Sequence, residues 1–218
     1  MDILYRMVQY VNEAQARIDK AKRHGMARPR TFEETSALDA AIGCFWSRGY
    51  EATSVRDLAA AMGIGGPSLY NAFTDKRTLF VRALERYMGS ATRERITRLE
   101  QTLKPKAAIR QFIGEIIERS VNDPERRGCF LINSALEVAP HDPELGEEIA
   151  HRLSEIEAFF RRAIKAGQAD GSIPAARDAR DIGRLLLGVL LGIRVLARTK
   201  PERALLEGVA RPALALLD

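Results

Sequence analysis

The chain has 218 residues, with 34 Lys or Arg, 29 Asp or Glu and a formal net charge of +5 at pH 7. This length allows a small domain and a second helical one, each with its own core, and the positive balance favours a polyanionic partner. Two cysteines at unrelated positions exclude a disulfide framework or a zinc site, and no segment resembles an export signal or a membrane span. We therefore expect a cytoplasmic protein without a metal or a cofactor.

Residues 1–25 form a predicted N-terminal extension, in which a short amphipathic stripe precedes three basic residues. They are either an extra helix or the product of a start codon chosen too far upstream. Arg28 and Arg30 follow, ahead of the first apolar helix. Such a basic arm can enter a DNA minor groove, as homeodomain arms do, or remain a solvated tail.

The stretch TSVRDLAAAMGIGGPSLYNAF, residues 53–73, has the spacing of a helix-turn-helix. Leu58, Ala59 and Met62 fall on one face of a first helix, and Leu69 and Phe73 repeat with Ala72 at helical spacing on a second. Gly63 allows the positive φ that ends the first helix and turns the chain. The pattern predicts two helices that pack on each other across a tight turn.

The second helix then presents Pro67, Ser68, Tyr70 and Asn71 outward. Asn pairs with adenine in the major groove, and we expect Tyr70 to reach a phosphate. Thr53 and Ser54 are placed to cap the first helix and to offer hydroxyls or N–H groups to another phosphate. Lys76, just after the second helix, is a further predicted phosphate contact.

These residues resemble the tetracycline-repressor (TetR) family of bacterial transcriptional regulators, over about residues 35–84. The matching features are GYEATS, the A-x-x-x-G turn, LYNAF and KRTLF. Gly65 stands where the family commonly has Ser, and Ala72 where it commonly has an aromatic residue, so Gly65 is not among the predicted contacts. The resemblance implies an all-α fold, with a three-helix DNA-binding domain at 26–84 and a helical ligand-binding and dimerisation domain at 85–218.

Beyond residue 84 the sequence predicts helices separated by Pro and Gly punctuation. One long helix is expected over 76–101, followed by helices over 107–121 and from near 129 to 140. Further helices are predicted from the Asp142 cap through 166, and over 178–198 and 202–217.

The last two predicted helices are the expected homodimer interface, because the penultimate helix is apolar around too much of its surface to lie singly on a domain. Gly188 and Gly192, four residues apart, allow another helix to approach closely. A fully buried central helix is the alternative. The predicted interface residues are Leu185, Gly188, Leu191, Gly192, Leu205 and Leu214.

A regulator needs an input, and the resemblance implies a small-molecule pocket in the second domain, whose occupation releases the protein from a palindromic operator. The predicted pocket combines apolar walls with two polar anchors. Its residues are Phe112, Ile116, Phe130, Asn133, Glu137, Phe159 and Phe160. For the aromatic and isoleucine residues, ordinary core packing is the competing interpretation.

Cys129 indicates a second possible input, thiol or electrophile sensing. It follows Arg126 and Arg127 and lies near a helix start, and both features favour a reactive thiolate. The alternative is a small buried residue at the start of a helix.

An enzyme finds little support in the sequence, and no residue is predicted to be catalytic. Glu148 and His151 give one E-x-x-H pair, whereas a di-iron site needs two such pairs and further carboxylates. A helical protein-interaction module is a third class, but it would leave Ser68, Tyr70 and Asn71 without a role. We predict a ligand-responsive DNA-binding regulator, more a repressor than an activator.

Overall fold

The computed structural model describes residues 33–218, and within this range the protein is entirely helical. Its ten α-helices follow the predicted order and lie close to the predicted bounds. They are α1 Glu34–Arg48, α2 Val55–Met62, α3 Gly66–Phe73, α4 Lys76–Met88, α5 Glu94–Thr102, α6 Pro105–Val121, α7 Phe130–Glu137, α8 Pro143–Ala169, α9 Ala179–Thr199 and α10 Arg203–Leu214. The predicted all-α fold is confirmed.

Helices α1 to α4 form the N-terminal part of this structure. Helix α1 packs on both α2 and α4, and α3 crosses α2. Leu58, Leu69, Leu79 and Ala83 are fully buried at the centre of these contacts. The predicted boundary between the DNA-binding domain and the C-terminal domain, after residue 84, falls inside the continuous helix α4. This division into domains stays a prediction.

The predicted long helix from residue 76 to 101 is interrupted. A π-helical segment, Gly89–Arg93, separates α4 from α5. Such a segment inserts extra backbone into one turn and rotates the residues that follow it. The side chains of α5 therefore point in different directions from those they would have in one uninterrupted α-helix continuing from α4.

The remaining helices pack around α8 and α9. Helix α8 contacts α6, α7 and α9, and α9 lies between α8 and α10. The side chains of Asp142 and Asp178 cap α8 and α9, as acidic N-caps do. No helix among residues 33–218 has the length and apolar character that crossing a membrane requires.

Candidate DNA-reading face and effector cavity

Local hydrogen bonds and a glycine fix the two ends of α2, the helix that leads into the turn before α3. The Ser54 hydroxyl accepts from the Asp57 backbone N–H at 3.1 Å, while an Asp57 carboxylate oxygen accepts from the Ser54 N–H at 3.0 Å. This reciprocal pair is a capping box, which fixes the start of α2. Gly63 ends that helix at φ 65°, a left-handed conformation that a glycine adopts without strain.

Helix α3 turns one face to solvent and the other to the core. Leu69 and Phe73 are buried, whereas Pro67 and Asn71 are exposed and Tyr70 keeps 52% of its surface. Ser68 is half-buried. Gly65 is the N-cap residue of this helix, and its lack of a side chain leaves the first turn without a side-chain cap. The outward set predicted from the spacing therefore lies on one exposed helix.

Thr53 differs from the expectation that it offers a hydroxyl or N–H group to a phosphate. Its side chain is fully buried, and its hydroxyl donates to the Gly49 carbonyl at 2.6 Å. Its backbone N–H donates to Tyr50. Both donors are used inside the protein, so Thr53 supports the loop before α2 and Ser54 alone forms the cap.

Lys76 is half-buried at the start of α4. Its ammonium lies 4.3 Å from the centroid of the Tyr50 ring, and its Nζ donates to the Glu51 carbonyl at 3.4 Å. An ammonium has three donors, so this contact leaves donors for a phosphate. Arg28 and Arg30 lie outside the residues that the structure describes.

A cavity lies between α4 to α9 in the C-terminal part of the chain. It has a volume of about 30 Å³, room for about two water molecules. Phe112 and Ile116 line it, together with the half-buried α9 residue Leu191. Any larger ligand must move these walls apart when it binds.

Three predicted pocket residues lie elsewhere in the core. Phe159 and Phe160 are fully buried behind Phe112, with ring centroids 5.2 and 5.5 Å from its ring. Phe130 contacts Phe80 and Tyr87 edge to face, with centroids 5.7 Å away in both cases. None of the three lines the cavity, because each is covered by other aromatic rings.

The two predicted polar anchors, Asn133 and Glu137, also lie away from the cavity, on the side of α7 that faces α1. A carboxylate oxygen of Glu137 accepts from the Glu51 N–H at 3.0 Å. The same carboxylate packs against Gly49, where an added Cβ would lie only 2.6 Å from its oxygens. Asn133 donates to the Arg127 carbonyl at 2.8 Å. Both side chains bond to the protein itself, and together with Phe130 they line a separate groove of about 370 Å³ between α1 and α7. Their role as ligand anchors stays a prediction.

A second contact, this time an ion pair, joins the N-terminal helices α1 to α4 to the C-terminal helices. Arg77 on α4 lies 3.2 Å from the Asp142 carboxylate and 2.7 Å from Glu144. The bond from Arg77 and the N-cap bond from the Leu145 N–H hold the pKa of Asp142 below its usual range. Asp142 therefore caps α8 and links it to the helix that follows the reading face.

Cys129 is half-buried at the N-cap position of α7 and lines the cavity. The Tyr87 hydroxyl donates to its sulfur at 3.6 Å, and burial raises the pKa of Tyr87. The arginines expected beside it point elsewhere. Arg127 lies over the Trp46 ring and pairs with Asp123, and Arg126 reaches the Thr199 carbonyl.

The arginines that share the cavity with Cys129 come from distant positions, namely Arg95 on α5, Arg119 on α6 and Arg194 on α9. Sequence reasoning missed them because each belongs to a different helix. The only signal in the sequence was Arg194 itself, a charged residue at the end of an apolar run.

The outer face of α9 is apolar and unpaired within the described chain. Leu185 and Val195 keep 45% and 43% of their surface, and Gly188 is exposed. A Cβ added at Gly188 or Gly192 would meet nothing within 4 Å. Packing within the chain therefore does not require a small residue at either position. Leu205 is half-buried, and Leu214 lies in a groove between α6 and α10.

The E-x-x-H pair has ordinary helix-surface partners. Glu148 pairs with Arg152, and His151, with 73% of its side chain exposed, lies 3.9 Å from Glu155. Within residues 33–218 no group of three or more His, Cys, Asp or Glu residues is placed to hold a metal ion.

A short exposed helix that follows a capped helix across a tight turn, and a helical part with its own cavity beyond it, define a helix-turn-helix transcriptional regulator. Residues 37–83 match the family model for bacterial regulatory proteins of the tetR family, and residues 105–212 match that for the tetracyclin repressor-like C-terminal domain. The chain belongs to the TetR family of transcriptional regulators.

Relatives cover nearly the whole chain. An uncharacterised HTH-type transcriptional regulator of Bacillus subtilis, YezE, is 31% identical over 88% of this chain and 100% of its own length. The HTH-type transcriptional repressor ComR of Escherichia coli is 29% identical over 87% of this chain and 90% of its own. These relatives are transcriptional regulators and not enzymes.

Among solved structures, the TetR family regulator CifR in complex with a 26-base-pair operator DNA is similar. It is 32% identical, covers 88% of this chain and 100% of its own, and has a TM-score of 0.79. The fold described above is therefore one that binds operator DNA in a relative.

We expect the Glu137→Ala variant to fold but to lose the bond to the loop before α2. Bonds to a charged acceptor contribute roughly 1.5–3 kcal/mol, so the Glu51 amide should exchange its hydrogen about tenfold faster. Hydrogen exchange followed by NMR measures this rate. Glu147→Ala, which removes an exposed glutamate on α8, is the control. Unchanged exchange at Glu51 in Glu137→Ala would show that the contact does not hold the loop.

Proposed function

We propose that the protein is a cytoplasmic homodimeric repressor, which binds a palindromic operator and leaves it when a small molecule occupies the α4 to α9 cavity. The observation that carries this proposal is the exposed face of α3, which follows the capped helix α2, together with α7, whose Cys129 lines the cavity and whose Glu137 bonds to the loop before α2. A binding element and a sensing element in mechanical contact are what a one-component regulator needs.

In the proposed complex, α3 lies in the major groove. Asn71 and Ser68 read base edges, Pro67 contacts the groove wall, and Tyr70 donates to a phosphate. Ser54 and Lys76 lie at the two ends of the unit and position it on the backbone. Arg28 and Arg30 are proposed to follow the adjacent minor groove.

Replacing the contact residues should separate base reading from phosphate binding. Asn71→Ala should weaken binding to the DNA upstream of its own gene by about tenfold or more, since one bidentate base contact contributes roughly 1–3 kcal/mol. Lys76→Ala should weaken binding to all sequences and lower its salt dependence. Gel-shift titration at several salt concentrations measures both effects.

Lys165→Ala is the matched control for the phosphate contact, because Lys165 is an exposed lysine on α8. Asn71→Ala protein that binds the operator with wild-type affinity, while melting at the wild-type temperature, would contradict the proposed reading face.

The homodimer is proposed to form through α9 and α10. A single short helix reads few bases, whereas two copies about a twofold axis read half-sites about 34–36 Å apart. Gly188 is exposed and Gly192 half-buried, and together they leave room for the partner helix. Leu185 and Val195 flank them with apolar surface. Burial of such a face between two copies removes it from water.

The Gly192→Arg variant tests this interface. The added side chain meets open space within one chain, so the monomer should fold, but two guanidiniums would meet across the twofold axis. We expect a shift from dimer to monomer at micromolar concentration in analytical ultracentrifugation, with loss of operator binding. Gly43→Arg, at a half-buried glycine of α1 where an added Cβ also meets nothing within 4 Å, lies outside α9 and α10 and should remain dimeric. A dimeric Gly192→Arg protein would place the interface elsewhere.

Release follows if the effector binds the DNA-incompetent state more tightly than the DNA-bound state, with a coupling of typically ~1–3 kcal/mol. The walls of the small cavity must separate to admit a ligand. Tyr87 and Cys129 line that cavity. Tyr87 also packs against Trp46 of α1, which in turn packs against Phe130 of α7. Displacement there moves α7, and with it the Glu137 contact to the loop before α2.

A second candidate input is covalent, because the Cys129 sulfur lines the same cavity and faces any molecule that enters. N-ethylmaleimide is a suitable probe, since the thiol adds across its C=C bond, forming a C–S bond and leaving the proton on the neighbouring carbon. We expect the adduct to abolish operator binding in a gel shift. Cys129→Ser should resist the reagent, whereas Cys44→Ala should respond normally because Cys44 is buried. If N-ethylmaleimide abolishes operator binding while Cys129 stays unmodified, the covalent input through Cys129 is contradicted.

A further inference from the structure

The cavity proposed above as the effector site carries an excess of positive charge. Arg95, Arg119 and Arg194 line it, and among the described residues no carboxylate does. Its other walls are mostly apolar, from Leu131, Ile132 and their neighbours on α8 and α9. The site is therefore an apolar pocket with guanidinium groups on its surface.

The partners of these arginines leave the charge uncompensated. Arg95 pairs with Glu115 at 3.1 Å, but the same carboxylate also lies 2.7 Å from Arg98. Arg194 is only 8% exposed, and its guanidinium donates to neutral acceptors, the Ser120 hydroxyl at 2.8 Å and the Gly128 carbonyl. Burial of a charge without an ionic partner is costly, and a bound anion would offset that cost.

Arg119 is the most available of the three. It is exposed and forms no hydrogen bond or ion pair within residues 33–218. Burial and the nearby charge of Arg119 lower the pKa of Arg95, as expected where two guanidiniums face one space. Because Arg119 has no such bond, its side chain can turn to an incoming ligand without breaking a contact in the protein.

The surface beside the cavity continues the same charge. A groove of about 280 Å³ opens next to it and shares Arg119 and Arg194 with it. Arg127 adds a third guanidinium to this groove, with its Nε 3.2 Å from the Glu125 carboxylate and 3.8 Å from the Asp123 carboxylate. The one acidic side chain in the groove, Asp123, is already bonded to the Arg127 backbone and side chain. An anion would meet positive charge from the surface inward.

We infer that the effector is an organic monocarboxylate, with its carboxylate on Arg119 and Arg194 and its apolar body against the walls of α7 and α8. This inference rests on the proposed function, because it assigns a chemical class to the ligand of the same site. Guanidinium groups bind carboxylates through paired, charge-assisted hydrogen bonds, which a neutral ligand of the same shape cannot form.

The test compares acids with amides of matched shape on the full-length dimer. Benzoate and octanoate are titrated by isothermal calorimetry against benzamide and octanamide. We expect each acid to bind about tenfold or more tightly than its amide, as loss of one charge-assisted bond predicts. The Arg119→Gln variant should bind the acids about tenfold more weakly than the wild type, because it loses one of the two proposed guanidinium contacts, and its amide binding should be unchanged.

Arg161→Gln, at an exposed arginine of α8 outside the cavity, is the matched control and should bind like the wild type. Arg95→Gln is a second variant at the same cavity. If Arg119→Gln fails to fold, the binding of acids and amides is compared between Arg95→Gln and the wild type instead. Amides that bind as tightly as the acids, or acids that do not bind at millimolar concentration, would overturn the inference.

Operator binding of the same unliganded proteins is measured in parallel by gel shift. Retained operator binding with no preference for acids refutes the anionic effector and leaves the regulator intact. Absence of operator binding in the wild type contradicts the proposed function itself, whatever the calorimetry gives.

Discussion

Helix α7 is the constraint on which the rest of the molecule depends, because it contacts both the cavity and the DNA-reading part. At its start, Cys129 lines the cavity and Phe130 packs among aromatic rings of α1 and α4. At its end, Glu137 holds the loop that leads into α2. A helix of eight residues is about 12 Å long and rigid, so it cannot absorb a displacement at one end.

The packing around this helix favours a discrete change over a gradual one. Phe45, Trp46, Phe80, Tyr87 and Phe130 form one cluster, with neighbouring ring centroids 5.2 to 6.5 Å apart. Interlocked rings of this kind deform little, and a packed interface shifts between alternative arrangements. The Arg77 to Asp142 contact provides a second connection, between half-buried polar groups, that can break and reform as the rings repack.

The sequence predicted what depends on near neighbours along the chain. Ser54, Gly63, Asp142 and Asp178 mark helix ends because caps act within a few residues, and the apolar spacing identified α3 and its exposed face. Thr53 turned inward because its partner, Gly49, lies in a turn whose shape the spacing does not reveal. The protein contacts of Glu137 and the cavity arginines were missed because contacts between distant helices decide their surroundings. The π segment also escaped prediction, since Gly89–Arg93 has no distinctive composition.

The start of α3 has a further consequence for how operator affinity varies with temperature. Gly65 provides no side-chain cap, Gly66 follows it, and the helix has only eight residues. Isolated helices of this length are marginal in water, so Leu69 and Phe73 hold α3 in place mainly through the core. We expect contact with DNA to order its first turn further. We expect operator binding to carry an entropy cost and a negative heat capacity change, so that occupancy of the operator responds to temperature as well as to the effector.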